Sequence, residues 1–208
     1  MASPDTPCAE RCRSLLEQLL TPACGSAARE LAHRLIERFG TLSATLAAPS
    51  TELASATNDR QAVAVISATH DAMLWSLRTR LDERPLLSND LAVMEYARVA
   101  QGFAHREIVR VLYLDAGNRL LAEEELARGT VDEAPIYIRE IIRRALELGA
   151  TGLIIAHNHP SGDVTPSRSD RTITDMLAKA GKPLGIRVLD HVLVSRDQAV
   201  SFHALGWL

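Results

Sequence analysis

The sequence predicts a mixed α/β layer fold preceded by a small helical domain. Apolar residues recur at three-to-four spacing through roughly the first 80 residues, the mark of helices with one buried face. The run Ile108-Val109-Arg110-Val111-Leu112-Tyr113-Leu114 is then β-branched and apolar, which suits a strand better than a helix. Beyond it, helical and strand patterns alternate, as in a layered α/β domain.

The elements follow in order. Leu15, Leu16, Leu19 and Leu20 mark a first helix, Leu31, Leu35 and Ile36 a second, and the run from Val63 to Leu77 a third. Breaks are expected at Thr21-Pro22, at Phe39-Gly40 and at Ala48-Pro49-Ser50-Thr51, where Ser50 is a candidate N-cap. Asp82-Glu83-Arg84-Pro85 reads as a linker, so the domains are expected at residues 1–82 and 83–208, and residues 90–101 read as one helix. The strand at 108–114 is followed by the turn Asp115-Ala116-Gly117-Asn118 and a returning strand at 119–125, a hairpin pattern. Residues 136–148 form an amphipathic helix ended by Gly149, and Gly152-Leu153-Ile154-Ile155-Ala156 is a short buried strand. A helix at 167–180 and strands at 188–195 and 199–202 complete the domain.

Composition narrows the function. Apolar residues are 47%, charged residues 24% and aromatics 4% of 208 residues, the profile of a soluble globular protein with an aliphatic core. A net charge of -3 argues against coating nucleic acid by charge alone. No stretch approaches the ~20 apolar residues of a membrane span, and the start lacks a signal-peptide core; the reading is cytoplasmic, with no membrane partner. Cys8, Cys12 and Cys24 cannot assemble a four-cysteine zinc site or a disulfide framework.

The chemistry concentrates after the buried strand, in Ala156-His157-Asn158-His159-Pro160-Ser161-Gly162-Asp163-Val164-Thr165-Pro166-Ser167-Arg168-Ser169-Asp170. Residues two apart on a strand share a side, so His157 and His159 can aim both imidazoles at one point. Two neutral imidazoles and one carboxylate, for which Asp170 is the candidate, make a three-ligand zinc site with a fourth position open. The same donors accept other first-row ions. Ser167, three residues before Asp170, lies on the same face of the opening helical turn. Hydrolysis also needs a general base. Glu107, at the head of the 108–114 strand, is the candidate, with Glu123, Glu124, Glu125 and Glu140 also available.

Glu107, then His157-Asn158-His159-Pro160, Ser167 and Asp170 resemble the JAMM (MPN+) metalloprotease signature. The flanks AHNHPSGD, PSRSD, VLYLDAGNRL and LDHVLVSRDQAVSFHALGWL resemble the RadC family. The resemblance covers residues 86–208 and, more loosely, 15–81. It implies a cytidine-deaminase-like α/β fold, Zn2+ on His157, His159 and Asp170, water activation by Glu107, and oxyanion stabilisation by Ser167. The function implied is hydrolysis of a peptide or isopeptide carbonyl in a peptide or protein substrate, by a chain that is free to form a homo-oligomer. The alternative is a non-catalytic interaction module of DNA repair or recombination with a structural or vestigial metal site. RadC relatives usually carry a helix-hairpin-helix with a Gly-x-Gly turn whose amides meet phosphate. Here that position reads Ala56-Thr57-Asn58-Asp59-Arg60-Gln61-Ala62, so the helical domain is a degenerate version and DNA binding through it is not expected.

Three other readings fail on the residues. The adjacent His-Asn-His is not the scattered set of an HNH nuclease. A zinc deaminase needs Pro-Cys-x-x-Cys, yet no cysteine follows Cys24, and no His-Glu-x-x-His helix occurs. Asp163 reads as a turn cap and Asp190-His191 as a structural contact at a strand end.

Overall fold

The computed structural model describes residues 7–86, 91–128 and 136–208. Asp90, expected to open a helix, lies outside the described residues. The chain divides into two compact units, Met1–Trp75 and Ser76–Leu208. The seam falls inside a helix, upstream of the linker read at residues 82–85.

The first unit contains α1 (Pro7–Cys24), α2 (Ala28–Phe39), α3 (Leu42–Leu46), α4 (Ser50–Thr57) and most of α5 (Arg60–Asp82). Leu16, Leu20, Leu31, Leu35, Leu53 and Ile66 form its core; burying each such side chain contributes about 1.5–3 kcal/mol. The break expected at Thr21-Pro22 does not occur. Helix α1 runs through Pro22 to Cys24, because a proline in the last turn forfeits one backbone donor and interrupts no long ladder. Gly40 does end α2, in the left-handed region at φ 84. Helix α4 begins one residue earlier than expected, with Pro49 at the N-cap and Ser50 inside.

The degenerate hairpin keeps its shape by other means. Asn58, at φ 52, ends α4 in the left-handed conformation a glycine would supply, which asparagine tolerates better than most residues. Asp59 Oδ1 then accepts from the amides of Gln61 (2.8 Å) and Ala62 (3.1 Å), capping α5.

In the second unit the described residues form a five-stranded sheet in the order β2-β1-β3-β4-β5. The strands are β1 (Ile108–Leu114), β2 (Leu120–Arg128), β3 (Gly152–Asn158), β4 (Arg187–Val194) and β5 (Ala199–Ser201). Strand β1 pairs antiparallel with β2 and β3, β3 pairs parallel with β4, and β4 pairs antiparallel with β5. Helices α6 (Leu91–Gln101), α7 (Ile138–Leu148) and α8 (Arg168–Gly181) complete the mixed α/β domain. Val109, Val111, Tyr113, Leu153 and Ile155 pack with Ile141, Ala145 and Leu177 of α7 and α8. Strand alternation puts these odd-numbered residues of β1 and β3 on one face, and His157 falls on that face with them. Strand β3 runs two residues past the expected end and is buried throughout, so the first histidine stands on regular strand. Among the described residues no helix is long and apolar enough to cross a membrane.

Candidate metal centre

The site gathers where β3 ends, β1 begins and α8 begins. His157 is 6% exposed, near the end of a strand whose preceding residues are aliphatic. His159 lies just beyond β3, held by its amide donating to the Val194 carbonyl at 2.9 Å. The two rings meet edge-on with centroids 4.9 Å apart, as the spacing of two residues requires.

His159 Nδ1 is 2.6 Å from the Asp163 carbonyl oxygen. A carbonyl only accepts, so Nδ1 carries the hydrogen and Nε2 presents its lone pair, the usual orientation of a metal-ligating histidine. The Asp163 carboxylate in turn accepts from the Thr165 amide at 2.8 Å. Hydrogen bonding with Thr165 holds its pKa below the usual range. The Asp163 turn expected from sequence is present and serves the site.

Asp170 enters through the first turn of α8. Ser167 is the N-cap: its Oγ accepts from the Asp170 amide at 3.1 Å, and Asp170 Oδ2 accepts from the Ser167 amide at 2.8 Å. This reciprocal capping box explains the Ser-x-x-Asp spacing and orients the carboxylate. Asp170 Oδ1 lies 3.2 Å from His157 Nδ1 and Oδ2 lies 3.6 Å from His159 Nε2. Burial pushes the Asp170 carboxyl up, but the pull of His157, His159 and Ser167 prevails and holds it well below the carboxylate range. His159 is raised in turn, chiefly by Asp170. Ser167 is exposed, and since its hydroxyl oxygen accepts, the hydroxyl hydrogen is free to donate.

Glu107 Oε2 is 3.6 Å from His157 Nε2. The other glutamates open on sequence grounds are committed to arginines: Glu123 to Arg78 and Arg110, Glu124 to Arg144, Glu125 to Arg110 and Glu140 to Arg143. Ligand atoms of Glu107, His157 and His159 lie within 4.8 Å of one another, close enough to hold a metal ion. Asp170, expected as the third ligand, is not in that group: it faces Nδ1 of His157, whereas Glu107 faces Nε2.

The donor set fits a divalent ion on a further ground. Neither ring nitrogen of buried His157 makes a well-directed hydrogen bond; both face carboxylates, Asp170 at 3.2 Å and Glu107 at 3.6 Å, and a buried polar group in that state costs about 1–3 kcal/mol unless a further partner is supplied. A cavity of about 540 Å³, lined by Phe103, His105, His159, Pro160, Arg196 and Asp197 among others, opens onto His159.

Two residues contribute more than their sequence context foretells. His191, expected as a structural contact at a strand end, is fully buried, stacks on His157 with centroids 6.2 Å apart, and shares a 2.7 Å hydrogen bond with Thr174. Thr174 Oγ1 also donates to the Asp170 carbonyl at 2.6 Å, so His191 is tied through Thr174 to the first turn of α8. Burial, and then the charge of His157, push the His191 pKa down to about 3. Asn158, lying between the two histidines in sequence, is 0% exposed and bonds to the backbone on both sides of Glu107. Its partners lie 50 and 52 residues away in the chain, so the sequence around it carried no signal for them.

Residues 87–207 match the family model described as a RadC-like JAB domain. A UPF0758 protein of Rhodobacter capsulatus is 42% identical over 181 residues, covering 86% of this chain and 85% of its own length. With the signature residues assembled at one strand end and the match spanning most of the chain, this protein belongs to the RadC family of JAB-domain proteins.

Proposed function

We propose that the protein is a zinc-dependent hydrolase acting on a peptide or isopeptide carbonyl in the cavity beside His159. His157, His159 and Asp170 hold the ion. The observation that carries this reading is buried His157, whose ring nitrogens make no well-directed hydrogen bond and face the carboxylates of Asp170 and Glu107. A bound divalent ion supplies Lewis acidity, which acidifies water toward a pKa of about 7 and polarises a carbonyl. Glu107, 15% exposed, accepts the proton of the attacking water and returns it to the departing amine. Ser167 donates its hydroxyl hydrogen to the oxygen on which negative charge develops. His157, His159 and the Ser167 cap keep Asp170 ionised, and Asp163 keeps His159 in the tautomer that offers Nε2.

The test has two arms. Elemental mass spectrometry should find near one zinc per chain in the wild type and none in His157→Ala/His159→Ala. Fluorogenic peptides and lysine-isopeptide conjugates should then be cleaved by the wild type and not by Glu107→Gln. Absence of metal from the wild type after zinc is added back would rule the hydrolase out.

A second reading has its own support: the convergence of Glu107 with both histidines would make it a fourth ligand. Such a closed site is the structural kind and would suit a non-catalytic interaction module. Loss of zinc from Glu107→Gln would favour it. A DNA-binding role gains no support from the α4–α5 hairpin, because Asp59 already occupies two of the amides a phosphate would use.

A further inference from the structure

We propose that Asn158 is the positioning residue for Glu107, a role that rests on the metal reading above. Its side-chain amide is fully buried and uses both ends. Oδ1 accepts from the Ile108 amide at 2.7 Å, and Nδ2 donates to the Arg106 carbonyl at 3.0 Å. These two groups flank Glu107, so one planar amide fixes the backbone on either side of the carboxylate.

The arrangement follows from strand alternation. His157 ends the ladder to β1 at Val109, and the next residue of β3 turns its side chain to the opposite face. Asn158 thus reaches the chain where β1 begins, while His157 and His159 aim at the site. Three consecutive residues set both imidazoles and, through the backbone, the carboxylate.

The loop carrying Glu107 is anchored at its other end too. A Cβ on Gly102 would stand 2.6 Å from the Arg98 carbonyl oxygen and 2.7 Å from that of Ser195, so only glycine lets the end of α6 lie this close to the end of β4. Gln101 Nε2 adds a 3.3 Å bond to the Ile108 carbonyl. Between these anchors Glu107 has little backbone freedom, the condition under which a proton acceptor is pre-organised.

The chemistry demands asparagine. Aspartate would accept from Ile108 but oppose the Arg106 carbonyl with a buried charge, serine has one oxygen for two partners, and leucine keeps the volume and loses both bonds. Both hydrogen bonds of the Asn158 amide go to backbone groups beside Glu107, so its effect on the site runs through that residue.

The experiment uses the full chain loaded with Co2+, whose visible spectrum reports the groups around the ion. Wild type, Asn158→Leu, Asn158→Asp, Glu107→Gln and the Asn158→Leu/Glu107→Gln double variant are titrated with pH, and amide exchange at Ile108 is followed alongside. The expected result is one Co2+ per chain throughout and a spectral pH midpoint in Asn158→Leu displaced in the direction seen in Glu107→Gln. The double variant should match Glu107→Gln alone, since coupled residues are not additive, and the Ile108 amide should exchange faster. Asn158→Asp, which keeps the bond to Ile108, should fall between; if Asn158→Leu does not fold, this variant decides. A wild-type midpoint in the Asn158 variants beside a displaced one in Glu107→Gln, or additive displacement in the double variant, overturns the proposal. Failure of the wild type to take up Co2+ instead overturns the metal reading beneath it.

Discussion

The two units bury polar groups in different ways. Among the described residues of the helical unit, the buried polar side chains are Thr45 and Thr57, and each returns its hydroxyl hydrogen to its own chain four residues back. The α/β unit buries Gln101, His157, Asn158, Asp170, Thr174, Asp190, His191, Ser195 and Ser201. Several of these bridge residues far apart in the chain: Asn158 to Arg106 and Ile108, Thr174 to His191, Ser201 to Asp190. Burying a polar group costs free energy unless a partner is supplied. The helical unit avoids that cost, whereas the α/β unit accepts it where geometry must be held, and leaves both ring nitrogens of His157 and one of His191 without a hydrogen bond.

The sharpest way to break this contrast is to remove a polar anchor from one unit and an apolar one from the other. Asp190 accepts from the His191 amide, the Ser201 hydroxyl and the His203 amide. Asp190→Ala leaves buried donors without partners and should cost about 3 kcal/mol or more in chemical denaturation. Leu35→Ala should cost about 2–5 kcal/mol by leaving a cavity, yet leave zinc affinity unchanged. Reduced zinc affinity in Leu35→Ala would show that the helical unit is not independent of the site.

An effect of intermediate size comes from His191. The unfolded imidazole takes a proton below about pH 6.5, whereas the folded one stays neutral down to about 3. The unfolded state therefore binds the extra proton between these values, and stability must rise with pH across the window, by at most about 1.4 kcal/mol per pH unit. In metal-free protein, denaturation midpoints should follow this trend, and His191→Gln should flatten it. An unchanged slope in the variant would place the acid sensitivity elsewhere.

The smallest effect belongs to the helical unit. Asp59→Ala removes the cap of α5 and should cost about 0.5–2 kcal/mol. The wild type should show no salt-dependent retention of duplex DNA in a gel-shift titration. Retention that falls steeply with salt would restore a phosphate-binding role to the hairpin.

Much of this was legible in the sequence because the signals were local. The β-branched run 108–114 gave β1 to the residue, Gly149 stopped α7, and the spacing of Ser167 and Asp170 put them on one face of the opening turn of α8, where the structure adds a capping box. The His-x-His pair converged as strand periodicity requires. Other features depended on partners distant in the chain. Asn158 lies 50 residues from Ile108, so nothing in its neighbourhood revealed a clamp. Glu107 was preferred over Glu123, Glu124, Glu125 and Glu140 on the motif resemblance, and the arginine partners of those four could be seen only in the structure. Thr21-Pro22 misled because proline breaks a helix in its interior and is tolerated near its end.

The central claim is that two histidines and Asp170 hold a divalent ion while Glu107 stays free to move a proton. Calorimetric titration of the metal-free protein with Zn2+, beside Asp170→Ala and Glu107→Gln, tests it directly. One site in the wild type, retained in Glu107→Gln and lost in Asp170→Ala, is the predicted result; loss in Glu107→Gln with retention in Asp170→Ala would contradict it.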